Sequence, residues 1–153
     1  MTHKLTVSTT IKTPLSTVWG VFWKPEHIVH WCFASPDWHC PKALGEEPKV
    51  GGIFTNTFAA KDGSFQFDFT AQYNIVEPMT RLVYTMGEMK EYFLDAGRQV
   101  EVILEDTPEG IKLTEIFDAE DIHSDEMQIA GWSAILENLR IYAEGLTQTI
   151  ETK

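Results

Sequence analysis

Cysteine is scarce: Cys32 and Cys40 are the only 2 in a chain of 153 residues. A disulfide-built scaffold needs more, and a reducing compartment would keep these two as thiols. Long apolar runs are missing as well, since no window approaches the ~20 apolar residues that cross a bilayer. The opening Met1-Thr2-His3-Lys4-Leu5 has neither the apolar stretch nor the small-residue cleavage site of a secretory signal. The expectation is a cytoplasmic chain with no membrane insertion. Basic residues are few, Lys+Arg 12 against Asp+Glu 23, giving a net charge of -11. With no basic patch in view, that field repels polyanions, so nucleic acid is excluded as a partner. Gly-rich phosphate loops, dinucleotide fingerprints and Ser-His-Asp groupings do not occur, and Gly51-Gly52 is only a strand entrance. No cofactor is expected.

What is present is a chain long enough to bury a real core without metals or disulfides, and it reads as one domain over residues 1–153. Its most informative stretch is Val50 to Tyr84, which reads as two amphipathic strands joined by a tight turn, the first opened by Val50-Gly51-Gly52. Phe65-Gln66-Phe67-Asp68-Phe69-Thr70-Ala71-Gln72-Tyr73 alternates apolar with polar, the period of a strand with one dry face. Lys61-Asp62-Gly63-Ser64 before it is a hairpin signal. Leu5–Ile11 alternates in the same way and predicts a first strand, followed by Pro14 and a short helix over Ser16–Trp23. A second short helix is predicted from Pro25 towards Trp31. Further strands are predicted at Arg81–Met86, Gly97–Glu105 and Ile111–Phe117, with a turn at Glu109-Gly110. From Ser124, a plausible N-cap, Trp132, Ile135, Leu136, Leu139, Tyr142 and Leu146 recur at helical spacing.

Residues 32–49 carry Pro36, Pro41 and Pro48 with Gly45, and read as a long irregular connection of the kind that forms lids or binding elements. His27, His30, Cys32, His39 and Cys40 precede or open it, donor types that zinc accepts. Structural zinc ligands come in close pairs, whereas these cysteines stand eight positions apart, so no metal site is assigned. His39 and Cys40 are adjacent in the chain and point apart, a poor nucleophile–base pair.

Several phrases are more specific: Pro14-x-x-x-Val18-Trp19, Pro25-Glu26-His27-Ile28 with Trp31, Gly51-Gly52-x-Phe54, Asp62-Gly63-Ser64-Phe65, Ile75-Val76-Glu77-Pro78-x-x-Arg81-Leu82-Val83-Tyr84, and Gly131-Trp132. With the element order, they resemble the SRPBCC superfamily of START-type carriers and birch-pollen-allergen relatives, and within it the AHSA-type homologues of the heat-shock ATPase activator. The resemblance runs from about Leu5 to Leu146. It implies an α+β helix-grip fold: a curved antiparallel β-sheet wrapped around a long C-terminal α-helix, with two short helices after the first strand. It also implies a cavity between sheet and helix, used in different members for lipids, polyketides or other apolar ligands. Members that stimulate the chaperone ATPase carry an additional N-terminal domain that this chain, starting at the first strand, is not expected to have.

The residues expected around such a cavity are Trp31, Trp38, Phe54, Phe67, Phe69, Tyr73, Tyr84, Val102, Glu115, Phe117, Trp132 and Leu136. Strand parity turns Phe65, Phe67, Phe69, Ala71 and Tyr73 inward, an aromatic wall that serves as core packing or as a ligand surface. The same parity leaves Glu115 as the lone carboxylate between Leu113 and Phe117. Desolvation would raise its pKa, fitting it to orient a ligand or act as an acid unless a partner such as Arg98 meets it. The expected function is binding of a small hydrophobic or aromatic ligand. A cyclase- or dehydratase-like enzyme using Glu115, and a chaperone-interacting module, are the alternatives, and a homodimer is compatible with a domain of this size.

Overall fold

A computed structural model of the protein describes residues 3–88 and 96–151. Seven strands form one antiparallel sheet: β1 (Lys4–Ile11), β2 (Trp38–Leu44), β3 (Ile53–Ala60), β4 (Gln66–Glu77), β5 (Arg81–Met86), β6 (Gln99–Thr107) and β7 (Gly110–Asp118). Their order across the sheet is β1-β7-β6-β5-β4-β3-β2. Helices α1 (Leu15–Trp23) and α2 (Pro25–Ile28) follow β1, and α3 (Asp125–Glu151) closes the chain. At 27 residues α3 is about 40 Å long and lies within the curl of the sheet against β1 and α1, the helix-grip arrangement.

Register puts one continuous row of side chains on the concave face. Phe58 pairs with Phe67, Asn56 with Phe69 and Phe54 with Ala71; Tyr73 pairs with Tyr84, Tyr84 with Val100, Val100 with Phe117, and Phe117 with Leu5. Every second residue along each strand therefore faces α3, as the alternation in sequence requires. A one-residue irregularity between Tyr73 and Ile75 flips that parity, so Val76 turns in and Ile75 turns out. Glycine is required at Gly63 and Gly110 among the positive-φ turns. Gly63 has φ 80° while Asp62 Oδ1 accepts from the Ser64 N–H at 2.8 Å, which fixes the β3–β4 hairpin. Gly110 has φ 139°, and a Cβ there would lie 2.6 Å from the Ile11 carbonyl oxygen.

The expected irregular connection over residues 32–49 is corrected: it contains β2, an edge strand paired with β3. Pro41 hides the strand from a sequence reading, because proline lacks the ladder N–H. It is tolerated here where the register shifts between His39 and Lys42, at the sheet edge. Phe65 is corrected too. It lies just before β4 and is 38 % exposed, with its ring edge-on to Trp38 rather than on the inner wall.

Candidate functional site

Between α1, α2, α3 and the β3–β5 side of the sheet lies a cavity of about 460 Å³. That is within the range of small-molecule pockets. Its wall is built in layers. From the sheet come Phe54, Asn56 and Phe58 on β3, Phe67, Phe69 and Tyr73 on β4, Tyr84 and Met86 on β5, and Glu115 on β7. The opposite side is Phe22, Ile28 and Trp31 below, with Met127, Gln128, Trp132 and Ile135 of α3 above. Trp38, half-buried, and Met127, exposed, stand where the wall meets solvent.

Local contacts hold this frame. Trp31 donates its Nε1–H to the Val21 carbonyl at 3.0 Å and stacks on Phe22, which ties the residues after α2 onto α1. Asn138 on α3 donates to the Phe33 carbonyl at 2.7 Å. His27 engages the Tyr142 hydroxyl at 2.7 Å while His30 stacks on the same ring. These two histidines therefore anchor α3, and among the described residues no three His, Cys, Asp or Glu side chains gather as a metal site. Trp132 stacks on Phe117 with ring centres 3.9 Å apart and nearly parallel planes. Ser124 caps α3, its Oγ accepting from the Met127 N–H at 3.2 Å.

Nine of the residues anticipated from sequence share this wall: Trp31, Trp38, Phe54, Phe67, Phe69, Tyr73, Tyr84, Glu115 and Trp132. Val102, Phe117 and Leu136 do not. They are buried in the solid core, at 2 %, 0 % and 2 % exposure, where parity and helical spacing placed them on the inner face but neighbouring side chains fill the space before them. Sequence reading missed Phe22, Phe58, Met86, Gln128 and above all Asn56. The signal for Asn56 was available, since Phe54-Thr55-Asn56-Thr57-Phe58 alternates like β4 and leaves one amide on the dry face.

Polar groups in this wall are few. Glu115 is buried, and no described residue hydrogen-bonds or ion-pairs with its carboxyl. Desolvation pushes its pKa from the ordinary 4.5 up to about 8. Arg98, the partner considered from sequence, also lines the cavity; burial lowers its pKa, while the charges that favour its ionised form belong to Glu120 and Asp118. Burial raises the Tyr73 phenol, and burial followed by the Glu115 charge raises Tyr84. Both cysteines are free and buried, and Cys32 faces the cavity. Its thiol meets that of Cys40, and this contact first, burial second, pushes it well above the ordinary thiol range. Asn56 Nδ2 donates to Cys32 Sγ at 3.9 Å, while Asn56 Oδ1 is buried without any partner.

Comparison with known proteins gives a consistent picture. The family model described as Activator of Hsp90 ATPase homolog 1-like protein matches residues 12–144. The solution structure of an AHSA1-like protein from Aeromonas hydrophila is similar at 36 % identity and a TM-score of 0.83, covering 95 % of this chain and 94 % of that one. A protein from Cytophaga hutchinsonii is similar at 38 % identity and a TM-score of 0.74, with 95 % and 94 % covered. A crystal structure from Chromobacterium violaceum, at 21 % identity and a TM-score of 0.80, shares the fold over 92 % of this chain and 96 % of that one. No match is found among curated proteins.

Proposed function

Starting from a chain that belongs to the Activator of Hsp90 ATPase homolog 1-like family, we propose that it is a cytoplasmic, single-domain binding protein for a small apolar or aromatic ligand. The observation that carries this reading is the cavity of about 460 Å³ walled by large rings, room that a core built for stability alone would close. Binding would work by removing ligand surface from water, at about 25 cal/mol per Å² of apolar area, with the few polar groups fixing orientation. The family name points in general to ligand binding or to chaperone-related interactions, and this site favours the former. Native mass spectrometry of the purified protein tests the reading. The expected result is a co-purifying small molecule, or saturable uptake of an apolar aromatic probe that is lost when the cavity is filled by a Cys32→Phe substitution. Absence of both would end it.

One observation favours a second reading. A carboxyl whose pKa is about 8 can hold or release a proton near neutrality, the property of a general acid or base. A cyclase- or dehydratase-like reaction on a polyketide-like substrate would then depend on Glu115. Unchanged turnover in Glu115→Gln would remove that assignment.

A further inference from the structure

Cys32 and Cys40, to which the binding reading gives no role, meet in one corner of the fold. Cys32 follows α2 and lines the cavity, while Cys40 lies on the edge strand β2. A relay of hydrogen bonds sets their sulfurs against each other. Asn56 Nδ2 donates to Cys32 Sγ at 3.9 Å, the Cys32 S–H donates to Cys40 Sγ, and the Cys40 S–H donates to the Lys42 carbonyl at 3.4 Å. Both residues are buried. The backbone at Cys40 is not held by a regular ladder, because His39 pairs with Ala59 and Lys42 with Thr57, leaving Cys40 and Pro41 together opposite Phe58. Such a bulge disrupts the ladder locally, which gives Cys40 room for the short approach that a covalent bond requires.

We propose that Cys32 and Cys40 are a reversible oxidation site, joined into a disulfide by hydrogen peroxide and opened again by exchange with a small dithiol, which is itself oxidised. Sulfurs already in hydrogen-bond contact have only to close to the bonded distance of about 2.05 Å. The two thiols also differ as a nucleophile and its resolving partner must. The hydrogen bond to Cys40 first, and burial second, keep the proton on Cys32. Accepting that same bond, Cys40 is held below the ordinary thiol range although burial opposes it. A thiol of this kind with a second cysteine beside it is the type that peroxide selects.

The cavity that Cys32 borders gives a molecule the size of hydrogen peroxide a way to the pair. Cys40 gives up its proton and its sulfur attacks one peroxide oxygen: an S–O bond forms, the O–O bond breaks, and the leaving hydroxide takes that proton as water. The Cys32 sulfur then attacks the sulfur of the Cys40 sulfenic acid. An S–S bond forms, the S–O bond breaks, and the second hydroxide leaves as water with the Cys32 proton. Two thiols lose two electrons and one peroxide becomes two waters. The segment whose ends are tied, Cys32 to Cys40, contains Ala34, Ser35 and Trp38 of the cavity wall. Oxidation therefore acts on the rim where the cavity meets solvent.

The test is intact mass spectrometry of the full chain after hydrogen peroxide at neutral pH, followed by unfolding and alkylation with iodoacetamide. Wild type should lose about 2 Da, remain a single chain and take up no iodoacetamide, and dithiothreitol should restore both alkylation sites. In the same samples, amide hydrogen exchange between Phe33 and His39 should slow about tenfold or more on oxidation, with β6 and β7 unchanged. In Cys32→Ser, whose hydroxyl can still donate to Cys40, the remaining thiol should gain one oxygen that dimedone traps. In Cys40→Ser, Cys32 should stay a thiol at the same dose. Two alkylated thiols in peroxide-treated wild type, a disulfide joining two chains, or oxygen on Cys32 in Cys40→Ser overturns the proposal. A disulfide that leaves exchange of the 33–39 amides unchanged overturns its action on the rim. None of these readouts involves a ligand, so their failure leaves the binding reading standing.

Discussion

One inner face runs the width of the sheet, yet its two sides are built differently. Where β7 and β1 meet α3, Ile11, Leu113, Phe117, Leu139 and Ala143 are fully buried. Across β3 and β4, Phe54, Phe58, Phe67 and Phe69 sit on the same face and are only half-buried. Apolar content does not separate the two sides; the partner does. In the solid half a ring from the helix, Trp132, reaches down to Phe117 at 3.9 Å. In the hollow half the rings meet one another, Phe58 on Phe67 at 5.1 Å and Phe54 on Tyr84 at 5.1 Å, and the curl of the sheet holds the helix off. A cavity here is a product of curvature and not of missing hydrophobic residues.

The contrast is broken most directly at its solid end. Phe117→Ala should cost about 3–5 kcal/mol in urea unfolding, because the stack with Trp132 is lost and the surrounding strands cannot close the gap. A loss near 1 kcal/mol would mean that this half is as loosely filled as the other. The next effect has the opposite sign. The unfolded chain releases the Glu115 proton near 4.5 and the folded chain near 8, so between those values the native state binds more protons and stability falls as pH rises. Glu115→Gln removes that dependence. Its gain should be near zero at pH 4.5, about 3 kcal/mol at pH 7, and level above pH 8, as read from melting curves across the range. A gain that does not grow with pH would show that the carboxyl is solvated or paired. Asn56→Leu should stabilise by about 1–2 kcal/mol in the same assay, since it removes a buried acceptor that has no partner. Destabilisation instead would mean that Oδ1 is satisfied within the ligand-free protein.

How much of this could be read from the residues follows the same division. Period-two patterning and turn signals revealed β1, β3, β4, β5, β6 and β7, and helical spacing revealed α3, because each of these turns one face to the core. It also placed Glu115 on the dry side with Leu113 and Phe117, where it is. β2 escaped because an edge strand need not alternate and this one carries Pro41 at a register shift. The cavity wall was half legible. Tyr73 and Tyr84 lie on it, but Phe117 and Val102, chosen by the same parity rule, lie behind filled space. Parity assigns a face; whether that face meets a helix or a void depends on sheet curvature, which no single residue encodes. Asn56 shows the converse, a position that parity could reach and that drew no notice because the neighbouring aromatic residues did.

The smallest predicted effect is the one that decides whether the hollow half is hollow. Phe58 stacks on Phe67 with planes 7° apart and meets Phe69 edge-on, so it has good neighbours along the sheet and open space towards α3. Dispersion contacts exist on one side only, and truncation adds volume to a void already present instead of creating one. Phe58→Ala should therefore cost about 1 kcal/mol, well short of the usual range for a buried phenylalanine, and lower Tm by about 2–4 °C. It should also enlarge the cavity towards β3 and admit a bulkier aromatic probe than wild type accepts. If the loss instead equals that of Phe117→Ala, the ring is fully packed in solution, the two halves are alike, and no room for a ligand remains on that side.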